Sequence, residues 1–492
     1  MIFNQQTRKP SLPSVRIPVV SGFQIKSFLI RGAMGLLIAG SILLLQVGCG
    51  KKEPASKVDT RSPHNTSTTA QASEGLPKAC WPRLDDIRKA GHPVSAEELD
   101  KWYSPVAADE NAARIYSKAF ALLKRPEGKD PALPILGGAS LPKPSDPISP
   151  AMVKVTGDVL SQNQAALELL HEGAKFQLCR YPVDLKLGSA ATLPHLAAIK
   201  TSAQMLSLQS MVAAEKGEQD QAVKAILAGL SLANSLKQEP LLISQLVRFV
   251  AVNLTANALE RLLNRHTLSD QQLQKLLAGF DSVEQPESIT RTLIGERCMI
   301  IHGFGDLPRL LQEFKNLKGG LPHSIPADYQ KQPVFIEDFE MAMDILDDLI
   351  SARQKPFPEK LEAEDQLAVA IAEAREKKLL VTGVFTPAFS SLFTKEAEYT
   401  ATVRLAQTAL ALERYRLAHQ DALPKALDEL TPAFVKSVPQ DPFTGKPLSF
   451  KSRLQKNYVL YSVGKDLTDD EGAEKQARPT DAHYDIAIGV AR

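Results

Sequence analysis

Four acids crowd one short stretch near the C-terminus, where Asp466, Asp469, Asp470 and Glu471 fall within six residues. Carboxylates gathered in a turn offer hard oxygen ligands, and Ca²⁺ accepts the irregular coordination that a turn supplies. This reading of the four acids is set against the plainer one of a solvated turn. Cys298 and His302 stand four apart, a spacing that puts a thiol and an imidazole on one helix face. Such a pair serves as nucleophile and base or as two metal ligands, but no third group completes either site, and a core cysteine beside a polar histidine accounts for it more simply. Glu337, Asp338, Glu340, Asp344, Asp347 and Asp348 form an acidic run, read either as a carboxylate metal cluster or as a solvated helix face. Gly303-Phe-Gly305 lacks the third glycine and the preceding strand of a nucleotide loop, and no Gly-x-Ser-x-Gly or His-Glu-x-x-His pattern occurs. No catalytic residue and no cofactor-binding loop is assigned.

The acidic stretch needs elements to hold it. It lies between an apolar strand, Tyr458 to Val463, and a last strand, Tyr484 to Val490, and a long helix from Glu396 to Arg416 precedes both. Upstream, Ser95-Ala-Glu-Glu98 and Ser269-Asp-Gln-Gln272 have the spacing of capping boxes. Helical periodicity covers Asn111–Leu123, Leu193–Glu215, Gln219–Leu236, Leu241–Arg265, Ile289–Lys315, Ile336–Ala352 and Glu362–Leu380. Lys124 to Pro150 and Lys318 to Pro326 carry the Gly and Pro punctuation of loops, and Phe385 to Phe393 reads as an apolar loop. The predicted class is mainly α: an irregular, solenoid-like helical array over 80–395, then a small α+β domain over 396–492 with a long helix on a short antiparallel sheet.

The 492 residues carry a formal charge of +2, but Arg8, Lys9, Arg16, Lys26 and Arg31 belong to an N-terminal segment without a single acid. The rest is close to neutral and lacks the concentrated positive charge that neutralises phosphates, which argues against nucleic acid. Cys49, Cys80, Cys179 and Cys298 show no CxxC spacing and suggest neither a disulfide framework nor a zinc site.

After the basic segment comes Gly32-Ala-Met-Gly-Leu-Leu-Ile-Ala-Gly-Ser-Ile-Leu-Leu-Leu-Gln-Val-Gly-Cys49. This run resembles a bacterial lipoprotein signal over 1–48, which implies lipidation at Cys49; an uncleaved transmembrane anchor is the other reading. Either one exports the body and attaches it to a membrane by its N-terminus. Residues 49–79, rich in Ser, Thr, Pro and Lys, read as a disordered tether.

Two further resemblances follow from quoted residues. Met211-Val-Ala-Ala-Glu-Lys-Gly217-Glu-Gln-Asp-Gln-Ala222 resembles one tetratricopeptide helix hairpin. Arg404 to His419, Leu427-Asp-Glu-Leu430, Asp441-Pro-Phe-Thr-Gly-Lys-Pro447 and Tyr458-Val-Leu-Tyr-Ser-Val-Gly-Lys-Asp466, in that order, resemble the soluble head of type II secretion major pseudopilins. That resemblance implies a helix on an antiparallel sheet, an Asp-Pro turn at Asp441, and a calcium loop entered at Asp466 and left at Asp485-Ile486, with Asp466 the first candidate ligand and Asp469 and Asp470 next. Leu467 stands where that family places glycine, and Gly22-Phe23 is not followed shortly by the glutamate of a pilin N-terminus. The whole layout resembles uncharacterised exported bacterial proteins with such a C-terminal segment. The expected function is a membrane-anchored, exported interaction or scaffold protein with a protein partner on its helical surface. The alternatives are an envelope or secretion component and an exported hydrolase with scattered catalytic residues.

Overall fold

The computed structural model describes residues 75–491 except 127, 129, 316–325, 327, 454–456 and 474–484. The apolar N-terminal segment and Cys49 lie outside the described residues, as do most of the predicted tether, Tyr484 and most of the loop from Lys318. The chain joins the core at Leu76, which is already buried.

Helices α1 (Trp81–Lys89), α2 (Ala96–Trp102) and α3 (Ala113–Leu122) open the fold. The Ser95 hydroxyl accepts from the Glu98 amide and starts α2, while the Glu98 carboxylate reaches back to the Val94 amide at 2.9 Å. Ala112, Ile115, Tyr116 and Ala119 form the buried stripe that their spacing predicts. Asn163 separates α4 (Pro150–Gln162) from α5 (Gln164–Gly173). Its side chain pins the Lys124 backbone, accepting from the amide at 2.8 Å and donating to the carbonyl at 3.0 Å.

Next come α6 (Pro194–Glu215) and α7 (Gln219–Asn234), the helices on either side of Gly217. The turn needs Gly217, whose φ of +76° lies in the left-handed region, and Ala222 is fully buried where the two helices close. Helix α8 (Leu242–Arg265) packs on both, and α9 (Asp270–Val283) starts with the complete capping box of Ser269 and Gln272. Among the described residues α8 is the one helix long and apolar enough to cross a membrane, yet it lies inside the fold against α6 and α7, with Gln245, Arg248 and Arg261 buried along it.

The predicted helix from Ile289 to Lys315 divides at Asp306 into α10 (Glu287–Gly305) and α11 (Leu307–Lys315). Then follow α12 (Pro333–Ala352) and α13 (Glu362–Glu376). The segment read as an apolar loop is instead part of a compact helical corner: α14 (Leu380–Phe385), a 3-10 turn at Thr386–Phe389, and the start of α15 (Leu392–Ala418). Phe389 and Phe393 are buried there, so the run is apolar because it is core. Helix α15 therefore begins before the predicted boundary at 396 and is buried over nearly its whole circumference.

Strands β1 (Ser449–Ser452), β2 (Tyr458–Ser462) and β3 (Ile486–Val490) form an antiparallel sheet in that order, with Ser449 opposite Tyr461 and Tyr458 opposite Val490. The mainly helical body with a small terminal sheet is thus the observed class. Helix α15 covers the sheet, and β3 is bonded sideways to α8: the Gly489 amide donates to Glu260 at 2.8 Å, and Asn264 bonds both the Gly489 carbonyl at 2.7 Å and the Ala491 amide at 2.8 Å. One apolar core runs continuously from Leu76 to Val490.

Candidate functional site

The groups singled out from sequence fall into separate places. Cys298 is fully buried among Leu99, Tyr103, Leu185 and Leu241, and burial pushes its thiol far above the ordinary range. His302 is half-buried against Gly188. The acidic run on α12 is claimed by cations: Asp344 and Asp347 pair with Arg83 at 2.7 and 2.9 Å, and Arg297 also pairs with Asp347. Asp338 is fully buried and accepts from Tyr329 Oη at 2.8 Å and from the amides of Val381 and Thr382 at 2.8 and 2.9 Å, so it caps the start of α14.

The acidic loop after β2 is built from left-handed residues at Gly464, Leu467, Glu471 and Gly472. Leu467 adopts φ +58°, a left-handed conformation in which glycine would cost less. Asp466 and Asp469 are exposed and turn onto the loop itself: Asp466 accepts from the Thr468 amide at 3.0 Å, and Asp469 accepts from the Glu471 amide at 2.9 Å and from Tyr461 Oη at 3.0 Å. Asp470 is half-buried and Asp485 buried. Asp485 Oδ2 accepts from the Gly472 amide at 2.7 Å, whereas Asp470 Oδ2 and Asp485 Oδ1 are enclosed without a hydrogen-bond partner among the described residues. Burial, with the charges of Asp470 and Asp469, raises the Asp485 carboxyl. Among the described residues no set of three or more His, Cys, Asp or Glu side chains converges in metal-binding geometry.

A cleft of about 1280 Å³ opens between the helical body and the C-terminal segment, walled by α8, α9, the turn into α10, the loop after α12, the first half of α15 and the loop Pro432–Asp441. Six basic and four acidic side chains line it, an excess of two positive charges. Arg404 pairs with Glu284 at 3.0 Å and donates to the Gln440 carbonyl at 2.8 Å, tying the C-terminal rim to the body. Gln407 donates to Asp281 at 2.8 Å. Burial raises the Asp281 carboxyl, a rise that the Gln407 bond opposes and the Glu284 charge adds to.

Five of the charged groups lining the cleft are buried: Arg248 on α8, Arg353 and Lys360 after α12, Glu396 on α15, and Asp441. Arg353 reaches Glu396 Oε1 at 3.1 Å and the Pro286 carbonyl at 2.5 Å; Lys360 Nζ stands 3.5 Å from both Glu396 oxygens and 3.8 Å from the Phe357 ring centroid. Burial lowers the Lys360 ammonium to about 8, reinforced by Arg353 and Arg404 and opposed by Glu396. Burial likewise raises the Glu396 carboxyl against the pull of Arg353 and Lys360. Arg248 donates to the Val283 carbonyl at 2.6 Å and lies 5.5 Å from the Tyr399 ring centroid, and Tyr399 Oη donates to the same carbonyl at 2.5 Å.

Sequence reading missed this constellation. Its members are spread from residue 248 to residue 441, and no spacing rule links them. One local signal was present: Arg248 interrupts Leu246-Val-Arg-Phe-Val-Ala251, where a charge in an otherwise apolar helical run marks a polar feature inside the fold. No family model, curated protein or solved structure matches the chain.

Proposed function

We propose that this is a membrane-anchored, exported interaction protein that engages its partner in the cleft between the helical body and the C-terminal segment. The observation that carries the reading is the cleft itself: about 1280 Å³, walled by both parts of the chain, and edged by charged groups set among apolar side chains such as Phe249, Phe357 and Phe434. Membrane attachment rests on the apolar run ending at Cys49, and a lipid incorporated in the wild type and lost in Cys49→Ala supports it. The test of the cleft uses exposed rim positions that can be enlarged without touching the core. Gln285→Trp with Ser437→Trp should abolish co-purification of a partner from solubilised membranes while leaving the melting temperature unchanged. Partner recovery undiminished by these plugs places the interaction on another face.

The acidic loop is proposed as a Ca²⁺ site in the same protein, with Asp466, Asp469 and Asp470 the candidate ligands and Asp485 added. What supports it is the pair of enclosed carboxylate oxygens, Asp470 Oδ2 and Asp485 Oδ1, which a hard cation would satisfy. An exported hydrolase is the second reading. Lys360, with an ammonium lowered to about 8 beside Glu396, is the group that favours it. Substrate turnover lost in Lys360→Met with substrate binding retained would establish that reading.

A further inference from the structure

The floor of the cleft carries more positive charge than its own carboxylates answer. Arg248 is 1% exposed and Arg353 8%, and among the described residues the single carboxylate serving the deepest cations is Glu396, shared between Arg353 and Lys360. Arg248 has no carboxylate partner; its good hydrogen bond is to a neutral carbonyl, and its contacts to Gln245 and Asn234 are long, at 3.4 and 3.5 Å. The Nε–H groups of both Arg248 and Arg353 are enclosed without an acceptor. Other acids at the cleft are engaged elsewhere: Glu284 with Arg404, Asp281 with Gln407, and Asp441 with the Phe443 amide, the Ser462 hydroxyl and the Val463 amide.

A buried cation left without a counter-ion is strongly destabilising, because desolvation of the charge goes uncompensated. With three buried cations, Arg248, Arg353 and Lys360, against two buried carboxylates, Glu396 and Asp441, at an open cleft, the fold holds a place for an anion. Guanidinium groups suit that task because their planar donors match the paired oxygens of carboxylate and phosphate. We infer that the cleft is an oxyanion-binding site, in which Arg248, Arg353 and Lys360 receive the carboxylate or phosphate group of a ligand whose apolar remainder lies against Phe249, Phe357 and Phe434. The cleft volume far exceeds that of a lone ion, so the anion is the head of a larger molecule. This inference rests on the reading of the cleft as the binding surface and specifies its chemistry.

The test uses the full-length protein in detergent and three probes by calorimetry: inorganic phosphate at ionic strength matched with chloride, a capped apolar tripeptide with a free C-terminal carboxylate, and the same peptide amidated. The expected result is binding of the phosphate or the free-carboxylate peptide, with the amidated peptide at least about tenfold weaker, the scale of one charge-assisted hydrogen bond. Whichever anion binds identifies the head group. Arg353→Gln and Lys360→Met should each weaken that probe about tenfold or more. Arg248→Gln should do the same if it folds, and the other two variants carry the test if it does not. Equal affinity for free and amidated peptides, binding by neither anion, or affinities unchanged in Arg353→Gln and Lys360→Met would overturn the inference. Partner capture blocked by the rim plugs yet unaffected by Arg353→Gln and Lys360→Met would overturn it while leaving the cleft as the interaction surface. Anion binding without any cleft-dependent partner would do the reverse.

Discussion

Lys360 gives the cleft a measurable electrostatic signature. It is 3% exposed, and burial lowers its ammonium from 10.5 to about 8. The folded state therefore holds this proton less tightly than the unfolded chain does. Below pH 8 the protein bears the full cost of a desolvated charge, and that cost is relieved as pH rises through 8 toward 10.5. Linkage makes the gain between pH 7 and pH 9.5 about 2 kcal/mol. Replacing Lys360 with Met removes the group, so the stability difference between wild type and Lys360→Met should move by that amount in favour of the wild type across the window. Contributions from the buried cysteines and tyrosines are common to both proteins and cancel. Urea denaturation at the two pH values reads the difference directly. Parallel profiles for the two proteins would refute the reasoning, because they would mean that Lys360 is as well solvated in the fold as in the unfolded chain. With a saturating anion in the cleft the slope should flatten, since the anion holds the proton on Lys360.

Glu296 has the opposite sign. Burial raises its carboxyl to about 7 while it accepts from the Leu242 amide at 2.6 Å, so the wild type should lose about 2 kcal/mol relative to Glu296→Gln between pH 5 and pH 8, read by urea midpoints. Asp441→Ala removes the acceptor shared by the Phe443 amide, the Ser462 hydroxyl and the Val463 amide, and should cost about 2–4 kcal/mol by the same measurement. A methyl at Gly295 would lie 2.0 Å from the Pro240 carbonyl oxygen, so Gly295→Ala should destabilise by about 1–3 kcal/mol, whereas alanine at the open Gly157 should not. Ca²⁺ at the acidic loop should raise the melting temperature of the full-length protein, EGTA should reverse the rise, and Asp470→Asn should abolish it; an EGTA-insensitive melting curve ends that proposal.

What the sequence revealed was local. Ser269 and Gln272 sit three apart and do cap α9, and Gly217 turns the hairpin it was expected to turn, because each needs only a few neighbouring residues. Helices with a single buried stripe were found on periodicity. The limits of α15 were less legible, since a helix buried on nearly every side offers no contrast between faces, and the apolar residues before it merge with the corner at Phe385 to Phe393. Asp441 was readable as a turn residue, but its role as the buried acceptor that ties that turn to the end of β2 depends on contacts with Ser462 and Val463, about twenty residues away. The acidic loop was visible as composition, and the pseudopilin resemblance marked Asp485 as its exit; that Asp485 supplies one of the loop's enclosed oxygens depends on β3 returning beside β2.

The C-terminal segment is a structural wall of the molecule as well as a unit with its own sheet. Helix α15 gives one face to the strands and another to α9 and α8, and β3 relies on Glu260 and Asn264 of α8 to satisfy Gly489 and Ala491. Taken away from the body, those backbone groups and that helix face would meet water, so the segment and the helical array stabilise each other. The same arrangement makes the cleft. Arg404 bridges Glu284 of the body to the Gln440 carbonyl on the opposite rim, and Glu396, one turn into α15, answers Arg353 and Lys360 across the gap. Since β2 runs from the core directly to Asp441's partners and then into the acidic loop, the rim and that loop share one strand.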